Sequence, residues 1–276
     1  MRFLKQILFL LVLCPLPTKA SHPESYLIFA NGMRNTLQEA ELSLQLLRQS
    51  VIDDLKYQSE QRHQSLRTGW SSDRVALAYN FKDELLDEFR EVFRQKKTER
   101  AISFWKWYHE SVEASQILKE IIHEEMMMCE NESRLSETLY EQMQLYDDLY
   151  RKGFRAVVVA HSQGNLFSNM IFEALEEKRG KGRSGLAVVA VATPASYVAG
   201  SGRHFTLTSD GVINRILPTF TDNPNYLKPL RPNVSNTTPK PGNFDHEFIE
   251  FYLGGDIAGP RIKNQIYDLF LQPKWN

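Results

Sequence analysis

Ser162 lies in the run Val157-Val158-Val159-Ala160-His161-Ser162-Gln163-Gly164-Asn165. A β-branched stretch passes straight into a small-His-Ser-Gln-Gly turn, and an amphipathic helical pattern follows. A serine hydroxyl is a weak nucleophile until a base takes its proton and donors receive the charge pushed onto the attacked carbonyl. A strand-turn-helix context supplies the geometry. The tight turn projects the hydroxyl from the top of a sheet, and the residues two before and two after it must be small. Ala160 and Gly164 meet that requirement. The helix aims its N-terminus at Ser162, where the backbone N–H of Gln163 is placed to stabilise an oxyanion. A buried strand ending in a serine-containing turn is also a common structural feature. The catalytic reading therefore requires an acid and a histidine, in that order, further along the chain.

The acid is assigned to Asp210, in Thr208-Ser209-Asp210-Gly211-Val212-Ile213, directly after an expected strand. A buried carboxylate there would orient a histidine and stabilise its protonated form. Asp-Gly is also an ordinary turn pair. Asp222 is the alternative acid, whereas Asp245 adjoins the candidate base and could scarcely bond its ring while that ring faces Ser162. The base is His246, in Asn243-Phe244-Asp245-His246-Glu247-Phe248-Ile249, the one histidine of seven that follows the acid. His22, His63, His109, His123, His161 and His204 all precede it. The competing reading of His246 is a solvated histidine at a helix start. A second oxyanion donor is expected from the N–H of Met33, in Asn31-Gly32-Met33-Arg34-Asn35-Thr36, because Gly32 lets the backbone approach a substrate. Asn-Gly is equally a generic turn.

The elements that must position these residues follow from hydrophobic periodicity. Short apolar runs at 26–30, 75–80, 155–160 and 186–192 read as buried strands, and 205–208 reads as a further strand with alternating character. Helical patterns cover 36–57 and 164–177, with 58–73 a polar loop between the first helix and the second strand. The stretch 83–152 is rich in Glu, Lys, Leu, Met and aromatics and lacks both Pro and Gly, which predicts helices at about 83–97, 98–128 and 133–152. A Pro/Asn-rich loop occupies 218–243, and helical segments are expected at 245–253 and 259–271. All-apolar strands alternating with helices indicate a parallel sheet covered on both faces. Right-handed crossovers and a central nucleophile strand predict the strand order 2-1-3-4-5, with the site beyond the C-terminal strand ends.

Ala160-His161-Ser162-Gln163-Gly164-Asn165, Asn31-Gly32-Met33, Asp210-Gly211-Val212-Ile213 and Asp245-His246-Glu247-Phe248 together resemble the α/β-hydrolase superfamily. The resemblance is nearest to its lipase-like branch, where "HSQGN" follows a Val-rich strand and a Thr-Pro pair ends the next strand, as Thr193-Pro194 does here. It covers about 26–80 and 153–272; the helical insertion 83–152 has no counterpart in it. It implies a parallel sheet of about five or six strands with helices on both faces. It also implies hydrolysis of an ester, thioester or amide without a cofactor or metal. Two departures stand out: Ala160 replaces the usual first Gly, and Asn31 replaces the His often found before Gly32.

The remaining features bound the function class. The chain has 276 residues, 42% hydrophobic and 24% charged, with a net charge of -1, which gives no reason to expect a nucleic-acid partner. Arg2 and Lys5, the apolar run 7–13, and Thr18-Lys19-Ala20 read as a signal peptide over 1–20. A membrane anchor is the competing reading, but the run is short for a span. Removing Arg2, Lys5 and Lys19 takes the charge from -1 to -4. The mature chain would keep only Cys129 and form no intrachain disulfide, a pattern unusual for a eukaryotic secreted enzyme and usual for a bacterial periplasmic one. The sequons at Asn131, Asn233 and Asn236 carry no meaning in that setting. Within the insertion, Phe104, Trp105, Trp107, Tyr108 and Met126-Met127-Met128 suit either a lid over an acyl site or plain helix packing. His109, His123, Glu124 and Glu125 lack a metal-binding spacing. The expected partner is a small-molecule or lipid acyl substrate, with peripheral membrane contact an option through the insertion. The alternative class is a non-catalytic relative that binds a lipid or protein through 83–152.

Overall fold

The computed structural model describes residues 24–32, 35–62, 69–80, 132–200, 202–216, 228–235 and 245–272. The expected signal peptide, the first two insertion helices and most of the 218–243 loop lie outside them. Within them, β1 is Ser25–Ala30, α1 Leu37–Arg62, β2 Trp70–Ala78, α2 Glu132–Arg151, β3 Arg155–His161, α3 Gly164–Arg179, β4 Leu186–Val191, β5 Arg203–Phe205 and α4 Ala258–Leu271. The π-helical turns Val212–Ile216 and Phe248–Leu253 lie between β5 and α4. Among the described residues, no helix is long and apolar enough to cross a membrane.

The strands form one five-stranded sheet in the order β2-β1-β3-β4-β5, parallel throughout. This is an α/β architecture with the expected strand order. β3 and β4 are apolar at nearly every position because both sheet faces are covered. Strand geometry sends alternate residues to opposite faces. Leu27, Phe29, Val157, Val159 and Val189 meet α1 and α4 through Leu44, Leu47, Ile262 and Ile266. Ile28, Val158, Ala160, Val188 and Ala190 meet α2 and α3 through Tyr146, Leu149, Ile171 and Leu175. Each fully buried Val, Leu or Ile contributes about 1.5–3 kcal/mol, so the central strands anchor the molecule from both sides.

Local chemistry sets several boundaries. Thr36 and Glu39 form a reciprocal capping box: Glu39 N–H donates to Thr36 Oγ1 at 3.2 Å, and Thr36 N–H donates to Glu39 Oε2 at 2.7 Å. α1 then runs to Arg62, and β2 starts at Trp70, so the expected polar loop 58–73 is shorter than its composition suggests. The polar residues Ser71-Ser72-Asp73-Arg74 hide the strand start. They fall where the register jumps from Ser25 opposite Trp70 to Leu27 opposite Val75, and Trp70 itself stacks on Phe270 with ring centroids 5.4 Å apart. β5 ends at Phe205 rather than continuing through Thr208. Residues 206–208 pair with the 233–234 segment instead, as Thr208 N–H donates to Val234 O at 2.8 Å. The expected helix at 245–253 is also corrected. Asp245 has φ 48°, which no helix accommodates, and regular structure begins only at Phe248, as a π-turn.

The register brings the strand ends level. Ala30 pairs with both Ala78 and Ala160, His161 with Val191, and Val191 with Phe205. The residues just beyond this edge are Asn31, Asn80 and Ser162, with Asp210 a few residues past β5.

Candidate active site

Ser162 occupies the turn between β3 and α3 with φ 51°. A non-glycine residue there carries about 1–3 kcal/mol of backbone strain and persists only where its surroundings over-determine it. Those surroundings are visible. Ser162 N–H donates to Val191 O at 3.0 Å, and the Asn165 side chain donates to Ser162 O at 2.9 Å and to Val191 O at 3.0 Å. The need for small neighbours has a direct cause. A Cβ on Gly164 would lie 2.5 Å from Ala30 O, and one on Gly32 would lie 2.8 Å from both Ser162 Cβ and His161 Nδ1. Ala160 is fully buried against the α2–α3 side of the sheet, which accepts its methyl.

His246 reaches this turn from the loop before the second π-turn. Its Nε2 lies 3.0 Å from Ser162 Oγ, and its Nδ1 lies 2.9 Å from Asp210 Oδ2 and 3.1 Å from Oδ1. An ionised carboxylate only accepts, so Nδ1 carries the proton and Nε2 is left to accept the serine O–H. Asp210 is fully buried, and the His246 side chain is 16% exposed. Ile213 N–H also donates to Asp210 Oδ1 at 3.0 Å, which holds the carboxylate at the mouth of the first π-turn. The three residues expected from the sequence, Ser162, Asp210 and His246, thus form one continuous hydrogen-bonded chain. Asp210 rather than Asp245 meets the ring. Asp222 lies outside the described residues.

Gln163 is the N-cap of α3, and its backbone N–H donates to no acceptor among the described residues. It therefore presents a donor at a helix N-terminus beside Ser162. Met33, the other expected oxyanion donor, lies outside the described residues. So do Cys129, the aromatic and methionine clusters of the insertion, and its histidines. No cluster that could hold a metal is present among the described residues.

Two residues without an assigned role in the sequence reading belong to the site. Tyr252 donates its O–H to Asp210 Oδ2 at 2.6 Å and accepts from Leu207 N–H at 3.1 Å. Burial, then the adjacent Asp210 charge, pushes its phenol well above the usual tyrosine range, so it remains a donor. His161 is buried behind His246, ring centroids 5.0 Å apart, and its Nε2–H donates to the His246 carbonyl at 2.8 Å. Burial and then the neighbouring His246 push its pKa down to about 3, so it stays neutral. Its Nδ1 has no partner among the described residues. Nothing in the sequence marks Tyr252 apart from other aromatic residues of an apolar segment. The signal for His161 is its place next to the serine.

A separate pocket of about 560 Å³ lies between β5 and α4, lined by polar groups that include Arg203, His204, Arg261 and Asp268. None of Ser162, Asp210 or His246 lines it. No family model matches this chain, and no curated protein or solved structure is significantly similar to it.

Proposed function

We propose that this protein is a serine hydrolase of the α/β-hydrolase type that cleaves carboxylic esters through an acyl-enzyme. One observation carries the reading: the chain Ser162 Oγ, His246 Nε2, His246 Nδ1, Asp210, with links of 3.0 and 2.9 Å, anchored on a nucleophile turn at the C-terminal edge of a parallel sheet. In the reaction, Ser162 Oγ attacks the carbonyl carbon and His246 Nε2 takes its proton. Asp210 stays ionised and holds the imidazolium. The developing oxyanion is received by the Gln163 N–H and by a second donor from the 31–35 loop, for which Met33 is the candidate. His246 returns the proton to the leaving oxygen, the C–O bond breaks, and the alcohol departs. Water then attacks the acyl-enzyme with His246 again as base. Thioesters and amides are reached by the same steps.

The proposal includes export from a bacterial cell, resting on the 1–20 segment, and a lipid or small-molecule acyl substrate. The test is direct. A fluorophosphonate probe labels only an activated serine, so wild-type protein should be labelled and should hydrolyse p-nitrophenyl esters. The Ser162→Ala variant should do neither. Absence of labelling in the folded wild-type protein would exclude the hydrolase reading in favour of a non-catalytic binding protein.

A further inference from the structure

The end of β2 carries no candidate catalytic residue, yet it bonds both to the segment after β1 and to the residue that follows Ser162. β2 ends at Ala78, and Tyr79 and Asn80 extend past the sheet edge. Asn31, at the matching place after β1, grips Asn80 by its backbone. Its Oδ1 accepts from Asn80 N–H at 2.7 Å, and its Nδ2 donates to Asn80 O at 3.0 Å. The side-chain amide thus substitutes for a peptide group and carries the strand pairing one step further. The same Nδ2 donates to Gly32 O at 3.0 Å, which holds the Gly32 carbonyl. On its other side, Asn80 Nδ2 donates to Gln163 Oε1 at 2.6 Å. Asn31, Asn80 and Gln163 are all buried. One residue earlier, Tyr79 O–H donates to Asn35 O at 3.2 Å, and Gln142 of α2 donates to Tyr79 O at 3.1 Å. The tip of β2 therefore touches the 31–35 loop at both ends and the residue that follows the nucleophile.

We propose that Asn80 is a positioning residue for the oxyanion hole, tying the Gln163 donor and the Gly32 turn to one buried point just past the end of β2. The inference rests on the hydrolase reading. Oxyanion donors act only if they are already aimed at the charge when it develops. Two buried links hold that aim, the Asn31 side chain on the backbone of Asn80 and the Asn80 side chain on the side chain of Gln163, at a place where the pattern this chain resembles often carries a histidine and this chain carries Asn31. The Asn31 clamp uses only the backbone of Asn80. Asn80→Ala accordingly keeps the strand end and removes just the link to Gln163.

The experiment compares wild type, Asn80→Ala, Gln163→Met and the double variant. It reads kcat and KM on p-nitrophenyl butyrate, the inhibition constant of butylboronic acid, and the melting temperature. The boronic acid accepts the Ser162 oxygen at boron while His246 takes the proton, giving a tetrahedral anion that samples the hole as the transition state does. The expected result for Asn80→Ala is a kcat lower by about 10- to 100-fold, with KM within about threefold and boronate affinity falling in parallel with kcat. Gln163→Met should match it, and the double variant should be no worse than the poorer single, because both cut one link. Unchanged kcat and boronate affinity, with or without a lower melting temperature, would overturn the positioning role while the hydrolase reading stood. A wild-type protein that neither hydrolyses esters nor takes a fluorophosphonate label would overturn both. If Asn80→Ala fails to fold, Gln163→Met, which leaves β2 untouched, decides.

Discussion

Tyr252 and His246 share one acceptor: the carboxylate of Asp210 takes the phenol at 2.6 Å and the imidazole at 2.9 Å on the same oxygen, Oδ2. Asp210 is therefore held at one oxygen both by His246 and by a residue six positions beyond it in the chain. A carboxylate held by several donors keeps its orientation through the proton transfers that occur next to it.

Tyr252→Phe should lower kcat/KM about tenfold, equivalent to about 1.4 kcal/mol of transition-state stabilisation. It also strands the Leu207 N–H, for a stability loss of about 1–3 kcal/mol. Steady-state kinetics and urea unfolding on the same preparation check both parts. Unchanged kcat/KM with reduced stability would make the tyrosine a scaffold residue only.

Asp210→Asn should reduce turnover by about 10⁴-fold, because an amide cannot hold the imidazole in the tautomer that accepts from Ser162. Asp222→Asn should leave turnover within about twofold, as expected of a substitution that removes no triad bond. Measuring kcat for both variants settles the choice of acid, and a reversed ranking would transfer the role to Asp222.

Ser162→Gly separates strain from chemistry. Ser162 sits at φ 51°, a region that glycine enters without steric cost. The substitution should abolish hydrolysis, with a loss of about 10³-fold or more, yet raise unfolding free energy by roughly 1 kcal/mol through relief of strain. Denaturant midpoints of wild type, Ser162→Gly and Ser162→Ala provide the check. A glycine variant less stable than the alanine variant would show that the turn is not strained.

His161 makes stability fall in acid. Its folded pKa is about 3 against a reference of 6.5, so between those values the unfolded chain binds a proton that the folded chain refuses. Unfolding free energy therefore drops as pH decreases below about 6.5, by about 2 kcal/mol at pH 5, and the effect is complete near the folded pKa. His161→Gln should flatten that part of the curve relative to wild type. Chemical denaturation at pH 7 and pH 5 measures it, and an equal pH dependence in both proteins would contradict the buried neutral histidine.

Much of the fold was legible from local pattern. The runs at 156–160 and 186–191 are apolar on both faces, as a strand inside a covered parallel sheet requires, and both lie in strands. Ser162, Asp210 and His246 were legible because each adjoins the end of a strand or the start of a helix, where backbone geometry limits residue type. Less legible were the elements whose residues answer to distant partners. β2 begins in polar residues because Trp70 stacks on a ring 200 positions away. Residues 206–208 leave the sheet because 233–234 competes for their backbone groups. Asp245 adopts φ 48° so that His246 can turn its ring to Ser162, which no helical pattern in 245–253 discloses.

The sequence by itself determined an α/β chain with strand order 2-1-3-4-5 and a serine on a turn that tolerates only small neighbours, because periodicity and steric limits act over a few residues. The tertiary structure alone decided which acid meets His246, that Tyr252 braces it, that His161 stays neutral behind it, and that Asn80 joins Asn31 to Gln163. Each of those bonds spans from 36 to 85 residues of chain. A hydrogen bond of about 3 Å depends on the final packing of whole elements, and no local pattern in the sequence encodes that distance.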